Sequence, residues 1–486
     1  MKNTNEDLKG VFSCLLSRAP VSFCLTDESG THDAHQIRNW VSEASQALKE
    51  QGAKPGDRVM VGLDRSAKAF ARLAAAQDVG AIPVPVDELL PQKRMLAISS
   101  DCEAKWFLGP SVSGSAAVSR TACTGIVNTD CKQHAGSLII YTSGSSGKPK
   151  GILCPPAAIS FVTEAIQKRL HYRDTDIVAQ PLPMTFDYGL YQILLAMKSG
   201  ANIRLYPSGA AGPSFLSRLE HDAVTILPSM PVLSETLIHL AQRRGRTLDA
   251  LRLITTTGGH CDRKQVQDLQ LLAPNADIVT MYGLTECKRA AITEPRVGSS
   301  EDGAGTALDG TRIRIVTSDE HEAESTAAGE IHVGGPHVML GYWPLDDKEL
   351  NRPFYTTDDG TRWLETGDTG YLDSNGVLHV QGRKDDVFKI NGYRTSVAEV
   401  ESALLSLPGV THACVRPPTE KSRYIAVFSG TSSEQEALSG IDDYLERPKR
   451  PSLIYNISNM PITPNGKVDR RAVDELLDSG VYKWTS

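Results

Sequence analysis

Apolar runs of strand length alternate with longer runs of helical spacing through the first two-thirds of this 486-residue chain. The pattern predicts a strand at Arg58–Leu63, a helix at 67–79 and an extended segment at 82–86. It continues through the segments 157–170, 176–181, 189–197, 202–206, 223–227, 251–256 and 278–282. Such alternation predicts α/β layers with largely parallel sheets, whose ligands bind at loops beyond the carboxyl ends of strands.

The pattern changes from Gly310 onward to short strands separated by Gly and Asp turns, at 313–316, 329–333 and 376–380. The last hundred residues then mix strands and helices again. We therefore predict an α/β protein with two domains. Residues 1–384 would form layered α/β subdomains plus a small β-rich subdomain, and residues 385–486 would form a small α+β domain.

Composition excludes several classes of protein. The formal net charge of −7 argues against a general nucleic-acid binder, which would carry a basic face. No apolar run reaches the ~18 residues that a membrane helix needs, and the first residues lack the apolar core of a signal peptide. The nine cysteines are scattered and contain no CxxC pair, which argues against a zinc site and fits reduced thiols in the cytoplasm.

Residues 141–151 combine hydroxyl groups, glycines and lysines directly after the apolar run 137–140, which is predicted to be a buried strand. The residues suited to hold a polyphosphate are Thr142, Ser143, Gly144, Gly147, Lys148 and Lys150. Two residues separate the glycines and Pro149 follows the first lysine, so this is not the Walker A loop of P-loop NTPases. By itself the segment predicts either a phosphate-binding loop or a solvated surface loop.

Further motifs supply groups that suit a nucleotide. Tyr282 follows a predicted strand and can stack on a flat ring, and Thr285 can bond a phosphate. Glu286 offers a carboxylate for Mg²⁺, which takes one or two carboxylates together with substrate phosphates. Asp368, in a Gly turn, can accept hydrogen bonds from sugar hydroxyls, and Arg383 could add a donor to the same sugar.

In this order and spacing, with Pro464–Arg470 near the end, the motifs resemble those of the adenylate-forming (AMP-forming) ligase superfamily. That superfamily includes acyl-CoA ligases, luciferases and the adenylation domains of nonribosomal peptide synthetases. The resemblance runs from about Lys54 to Arg470, with further matches at 64–66, 80–87, 329–335 and 341–343. The chain is most similar to stand-alone amino acid adenylation enzymes of the nonribosomal peptide type.

The resemblance implies ATP and Mg²⁺ as cofactors. The substrate carboxylate would attack the α-phosphate to form an acyl-adenylate, and a thiol would then displace AMP. Catalysis is implied for Lys467, Thr142 and Glu286, with Glu286 as the metal ligand. The nucleotide-binding residues would be Thr142, Ser143, Gly144, Lys150, Gly258, Gly259, His260, Met281, Tyr282, Gly283, Thr285, Asp368, Arg383 and Lys467.

The resemblance also implies that the last hundred residues form a mobile lid. Asp385 matches the hinge position between the two domains. The loop that contains Lys389 and Gly392 would line the opening for a pantetheine arm. We expect the thiol to come from a separate carrier protein with a phosphopantetheine arm, or from CoA, rather than from a fused carrier domain.

Phe186 and Asp187 resemble the adenylation-domain motif in which an aspartate pairs with the substrate α-ammonium. The expected substrate-contacting residues are Phe186, Asp187, Tyr191, Gly258, Met281 and Arg289. An amino acid substrate would satisfy a buried Asp187. The alternative is an acyl-CoA or acyl-carrier-protein ligase for a non-amino acid, in which Arg289 would pair with Asp187 instead. A degenerate member that only binds nucleotide is a third possibility, although the required polar residues are present.

Overall fold

In the computed structural model, the described residues are 10–90, 92–110, 116–120, 134, 137–143, 149–207, 212–259, 261, 263–295, 303–317, 326–384, 387–390, 393–418, 424–445, 449–463 and 466–479. The chain divides into two compact units. The first unit comprises residues 1–313 and 333–365, and the second comprises residues 314–332 and 366–486. The predicted domain boundary after residue 384 stays a prediction, and Asp385 lies outside the described residues.

The helices predicted at 67–79, 157–170 and 189–197 are present, with bounds within two residues of those predicted. The helices of the described residues are α1 (Val11–Arg18), α2 (Ala34–Glu50), α3 (Ala67–Asp78), α4 (Gln92–Asp101), α5 (Pro156–Leu170), α6 (Asp187–Ser199), α7 (Phe215–His221), α8 (Pro231–Arg244), α9 (Arg263–Leu272), α10 (Val397–Leu405), α11 (Glu434–Gly440) and α12 (Arg470–Asp478). Helix α6 begins two residues earlier than predicted, so Asp187 lies in its first turn.

The strands confirm the α/β fold class. They are β1 (Cys24–Asp27), β2 (Gly30–Asp33), β3 (Arg58–Leu63), β4 (Ile82–Asp87), β5 (Trp106–Pro110), β6 (Ala116–Arg120), β7 (Leu138–Ser143), β8 (Pro149–Cys154), β9 (Ile177–Gln180), β10 (Asn202–Leu205), β11 (Ile226–Ser229), β12 (Leu253–Thr256), β13 (Asp277–Leu284), β14 (Lys288–Ile292), β15 (Thr306–Ala307), β16 (Arg312–Val316), β17 (Gly329–Gly334), β18 (Gly341–Trp343), β19 (Phe354–Thr356), β20 (Arg362–Leu372), β21 (Leu378–Arg383), β22 (Val387–Ile390), β23 (Tyr393–Ser396), β24 (Val410–Arg416), β25 (Ile425–Gly430) and β26 (Leu453–Asn456).

The largest sheet of the described residues lies in the first unit, in the order β15-β14-β13-β12-β11-β9-β10-β1-β2. Its central strands are parallel, and the edges are closed by antiparallel pairs. The predicted parallel sheet is therefore present. Its helices α7, α8 and α9 pack on an apolar core that includes Leu227, Leu237 and Leu269. None of the described helices has the length and apolar character needed to cross a bilayer.

The sequence predicts a loop at residues 141–151, whereas both ends of this segment belong to strands. Strand β7 continues through Ser143, and β8 begins at Pro149, so most of the segment lies in an antiparallel hairpin. Thr142 pairs with Lys150, and Tyr141 with Gly151. Backbone pairing overrides the turn propensity of these polar residues, because each ladder bond satisfies groups that the buried strand would otherwise leave unpaired.

The second unit contains its own apolar cores. Helix α10 packs against the antiparallel pair β24–β25 through a cluster that includes Val400, Leu404 and Phe428. The side chain of Ser396 caps α10 by accepting a hydrogen bond from the backbone N–H of Glu399. The Glu399 side chain in turn accepts a hydrogen bond from the backbone N–H of Ser396. Strand β26 adds to β25 in parallel, which gives the predicted α+β character.

His337 in the first unit is fully buried and stacks on Phe161, with ring centroids 5.7 Å apart. Neither ring nitrogen has a hydrogen-bond partner among the described residues. Burial lowers its pKa from the usual 6.5 to about 4. The unfolded chain therefore binds a proton more readily than the folded chain, and stability falls as pH decreases from about 6.5 toward 4.

We expect the free energy of unfolding to drop by about 1 kcal/mol from His337 alone between about pH 7.5 and 5.5. The His337→Leu variant should lose that part of the pH dependence, measured by urea unfolding at both pH values. Replacement of the exposed His35 by Leu is the control. An unchanged pH dependence in His337→Leu would contradict this assignment.

Candidate active site

The β7–β8 hairpin places Thr142 directly opposite Lys150. Residues 144–148, between these two strands in the sequence, lie outside the described residues. The Lys150 ammonium lies 5.2 Å from the centroid of the Tyr342 ring, a cation–π contact. Tyr342 belongs to β18, which pairs with β8 in an antiparallel ladder. The hairpin therefore brings one hydroxyl and one ammonium to the same face of the sheet.

Tyr342 also links this hairpin to Glu286. Its hydroxyl donates to Glu286 Oε1 at 2.7 Å, and the Met339 amide donates to the Glu286 carbonyl at 2.9 Å. Tyr342 was not singled out from the sequence as a site residue. The signal was a Gly-Tyr-Trp segment that matched the family, but its partner lies 56 positions away.

Glu286 lies in the three-residue turn that joins β13 and β14. Gly283 is essential to that turn, since a Cβ at this position would lie 1.7 Å from the Lys288 carbonyl oxygen. Lys288, the first residue of β14 after this turn, has a left-handed backbone with φ of 55°. The turn thus holds Thr285 and Glu286 between two paired strands.

The residues predicted to contact adenine lie at the ends of neighbouring strands. Thr257, which follows β12, donates its hydroxyl to the Met281 carbonyl at 3.0 Å. This bond places Gly258 and Gly259 beside β13, on which Met281, Tyr282 and Gly283 lie. Gly258 has φ of 85°, which favours glycine.

The second unit holds the remaining predicted polar residues. Asp368 and Arg383 are paired across β20 and β21, with 3.6 Å between Oδ1 and Nη1. Asp368 therefore lies in a strand rather than in the predicted tight turn. The exposed Lys467 lies in a turn closed by the Thr463 amide, which donates to the Lys467 carbonyl at 2.7 Å.

Several predicted positions cannot be placed. Gly144, His260, Asp385 and Gly392 lie outside the described residues, as do the side chains of Ser143 and Lys389.

A second set of polar residues surrounds a small cavity in the first unit, with room for about one water molecule. It is lined by Ile166, Leu170, Asp187, Tyr188, Tyr191, Gln192, Leu195, Met281, Lys288 and Arg289. This cavity, the acid pocket, brings together four of the predicted substrate residues, namely Asp187, Tyr191, Met281 and Arg289. Phe186 caps helix α6 just before them, and its ring meets Tyr188 edge to face.

Asp187 is 2% exposed and faces two cations of the same chain. Its Oδ2 lies 4.0 Å from Lys288 Nζ and 3.9 Å from Arg289 Nη1. Lys288 is 1% exposed and Arg289 is 6% exposed. The Arg289 guanidinium also lies 4.7 Å from the centroid of the Tyr188 ring. The predicted pairing of Asp187 with Arg289 is present, whereas Lys288 was missed.

Successive side chains of a regular strand point to opposite faces, yet Lys288 and Arg289 both reach Asp187. Two local irregularities explain this. Lys288 has the left-handed backbone noted above, and the β13–β14 register shifts between Tyr282 and Gly283. The only sign in the sequence that both side chains reach Asp187 is the pair of adjacent basic residues after a short turn.

The family described as AMP-binding enzyme matches residues 17–343. Bacitracin synthase 3 of Bacillus licheniformis is 26% identical over 97% of this chain, which spans only 8% of that protein. The L-allo-isoleucine:holo-[CmaA peptidyl-carrier protein] ligase of Pseudomonas savastanoi pv. glycinea is 26% identical, with 95% of this chain and 82% of that protein covered.

Among solved structures, ATP-bound MatB from Rhodopseudomonas palustris has a TM-score of 0.82 and 21% identity. The match covers 96% of this chain and 98% of that chain. At this identity the likeness concerns the fold alone.

The acid pocket yields a stability prediction. Asp187→Asn should lower the free energy of unfolding by about 3 kcal/mol, because it leaves two buried cations without their counterion. Urea unfolding at neutral pH measures the change. Asp346→Asn, an exposed substitution of the same kind, should change stability by less than about 0.5 kcal/mol. Equal effects of the two substitutions would contradict the ion-pair interpretation.

Proposed function

Because this chain belongs to the AMP-binding enzyme family, we propose that it activates a small carboxylic acid with ATP and transfers it to the phosphopantetheine thiol of a separate carrier protein. The carboxylate oxygen attacks the α-phosphorus of ATP and pyrophosphate leaves. The thiol then attacks the acyl carbonyl carbon, AMP leaves with the bonding electrons, and the thiol proton is released. The transition states gather negative charge on phosphoryl oxygens, so fixed positive groups and donors do most of the catalysis.

The observation that carries this proposal is the arrangement of Thr142, Lys150, Tyr342 and Glu286 in the first unit. A hydroxyl and an ammonium on paired strands suit the β- and γ-phosphates of ATP. The Tyr342 hydroxyl fixes the nearby carboxylate of Glu286 through its hydrogen bond, while its ring contacts Lys150. Tyr342 thus contacts both the Glu286 carboxylate and the Lys150 ammonium. A carboxylate suits a metal ion and an ammonium suits phosphate oxygens, so the two groups together fit a metal-bound polyphosphate.

Mg²⁺ fits this donor set. Mg²⁺ is usually bound by one or two carboxylates together with phosphate oxygens and water, so Glu286 alone can supply the protein ligand. The described residues contain no group of three or more metal-ligating side chains, which agrees with a site completed by substrate. When bound, the ion would neutralise charge on the phosphates.

The proposed roles in the second unit follow the family resemblance. Asp368 would accept hydrogen bonds from the ribose hydroxyls, and Arg383, paired with it at 3.6 Å, would donate to the same sugar. The exposed Lys467 would bridge the substrate carboxylate and the α-phosphate. Asp385 would serve as the hinge of a mobile lid.

An amino acid substrate stays a prediction from Phe186 and Asp187. It gains support from the carrier-protein ligase among the relatives, whose name gives L-allo-isoleucine as its substrate. The alternative, a non-amino acid, gains support from the cations that already face Asp187. A carrier protein is favoured as acceptor by the name of the same ligase, with CoA as the alternative. A cytoplasmic location also stays a prediction.

Lys467→Ala should lower acid-dependent pyrophosphate release by about 100-fold or more, since it removes charge stabilisation at the α-phosphate. Thioester formation from a supplied acyl-adenylate should remain within a few-fold of wild type. Comparing the two half-reactions measures this division. Equal losses in both would assign Lys467 a structural role instead.

Tyr342→Phe keeps the ring next to Lys150 and removes the hydroxyl that donates to Glu286. We expect about a 10-fold increase in the Mg²⁺ concentration needed for half-maximal pyrophosphate release, because the carboxylate loses its orienting bond. Tyr355→Phe, on the separate strand β19, is the matched control. An unchanged Mg²⁺ requirement would argue against Glu286 as the metal ligand.

A further inference from the structure

We infer that Glu401 is a positioning residue for Lys467, because its carboxylate joins α12 to β24 through Arg470 and so fixes the turn that carries the lysine. The inference rests on the proposed function for the role of Lys467 at the α-phosphate. It deepens that function by naming the group that holds the lysine in place. All the residues involved belong to the second unit.

The turn that carries Lys467 is closed by hydrogen bonds within itself. Besides the bond from the Thr463 amide described above, the Lys467 amide donates to the Thr463 hydroxyl at 3.2 Å. The Gly466 amide donates to the Thr463 carbonyl at 2.8 Å, and an antiparallel bridge pairs Ile462 with Val468. These bonds fix the shape of the turn. Its orientation against the rest of the unit needs contacts that reach beyond it.

Arg470 supplies such contacts. It is the first residue of α12 and lies three positions after Lys467. Its Nη2 donates to Glu401 Oε2 at 2.8 Å, and its Nη1 donates to the Val415 carbonyl at 3.3 Å. Because the donors of a guanidinium have a fixed planar geometry, binding two partners at once sets the direction of the side chain as well as its distance.

The Glu401 carboxylate joins three elements. Glu401 lies on α10, its Oε1 accepts the Val415 amide of β24 at 2.8 Å, and its Oε2 accepts the guanidinium from α12. The Glu401 side chain is 16% exposed and that of Arg470 is 46% exposed. Solvent therefore screens this pair less than it screens a fully exposed pair. The position of α12 against β24 thus depends on one carboxylate.

Apolar packing holds α12 in a less specific way. Val473 is buried, and Val468, Leu476 and Leu477 are partly buried against the same cluster. Apolar contacts have no preferred direction, so they tolerate a small rotation of the helix and of the turn before it. Hydrogen bonds weaken steeply when they are misaligned, so the bonds of Arg470 select one orientation. We therefore assign the orientation of the Lys467 turn to the Arg470–Glu401 pair.

Hydrogen exchange on the full chain without ligand tests this anchor. Glu401→Gln keeps the size of the side chain and removes the charge that binds Arg470. Exchange of the Gly466 and Lys467 amides should become about 10-fold faster, because the loosened turn opens more often. The amide of Val427, in the centre of β25, should not change. The matched control Glu475→Gln, which removes the partner of Arg471 on the same helix, should change none of these amides.

Pyrophosphate release tests whether Glu401 acts through the lysine. The acid is the one that wild type uses fastest among proteinogenic amino acids and short straight-chain carboxylic acids. Glu401→Gln should lower kcat by about 10-fold, since a misplaced catalytic group loses rate. Thioester formation from a supplied acyl-adenylate should stay within a few-fold of wild type. In a Lys467→Ala background, Glu401→Gln should cause no further loss.

The outcomes separate the anchor from the proposed function. Unchanged exchange of the Gly466 and Lys467 amides in Glu401→Gln overturns the inference. A loss that adds to that of Lys467→Ala, or equal losses in both half-reactions, also overturns it, because a purely structural role has these effects. If wild type releases no pyrophosphate with any acid, the proposed function is overturned, and faster exchange in Glu401→Gln still supports the anchoring of the turn.

Discussion

The tight turn between β13 and β14 is the constraint on which both parts of the candidate site depend. It closes only because Gly283 has no side chain to meet the Lys288 carbonyl, which lies within bonding range of any Cβ placed there. The turn presents Glu286 to Tyr342 on the phosphate side. The strand that leaves it carries Lys288 and Arg289 to Asp187 on the acid side. A few residues thus connect the residues predicted to bind the nucleotide with those predicted to contact the substrate.

The two sides of this turn differ in their electrostatics. On the phosphate side, charges contact aromatic and hydroxyl groups, so they can exchange partners with a charged substrate. On the acid side the charges are nearly inaccessible, and each uncompensated charge is costly there. Asp187 gains further support from its place in the first turn of α6, where the helix dipole favours a carboxylate.

Local sequence patterns predicted the fold well where burial alone decides structure. Strand β3 has the predicted bounds, because its residues are uniformly buried. The polar residues Thr142 and Ser143 predict a loop, so the end of β7 was not predicted. They are strand residues because they pair with β8. Motifs identified Glu286, but the hydrogen bond from Tyr342 depends on a strand pairing that no local pattern encodes. The position of Lys288 beside Asp187 was not predicted, because the direction of its side chain follows from a positive φ and a register shift.

The sequence predicts an ammonium substrate at Asp187, and the structure places two cations of the same chain, Lys288 and Arg289, beside that carboxylate. Two adjacent buried cations would repel each other in the pocket and destabilise the turn that carries them. One carboxylate between them lowers this cost without removing it, and leaves a single positive charge. Asp187 therefore stabilises the close approach of Lys288 and Arg289 that follows from the β13–β14 turn.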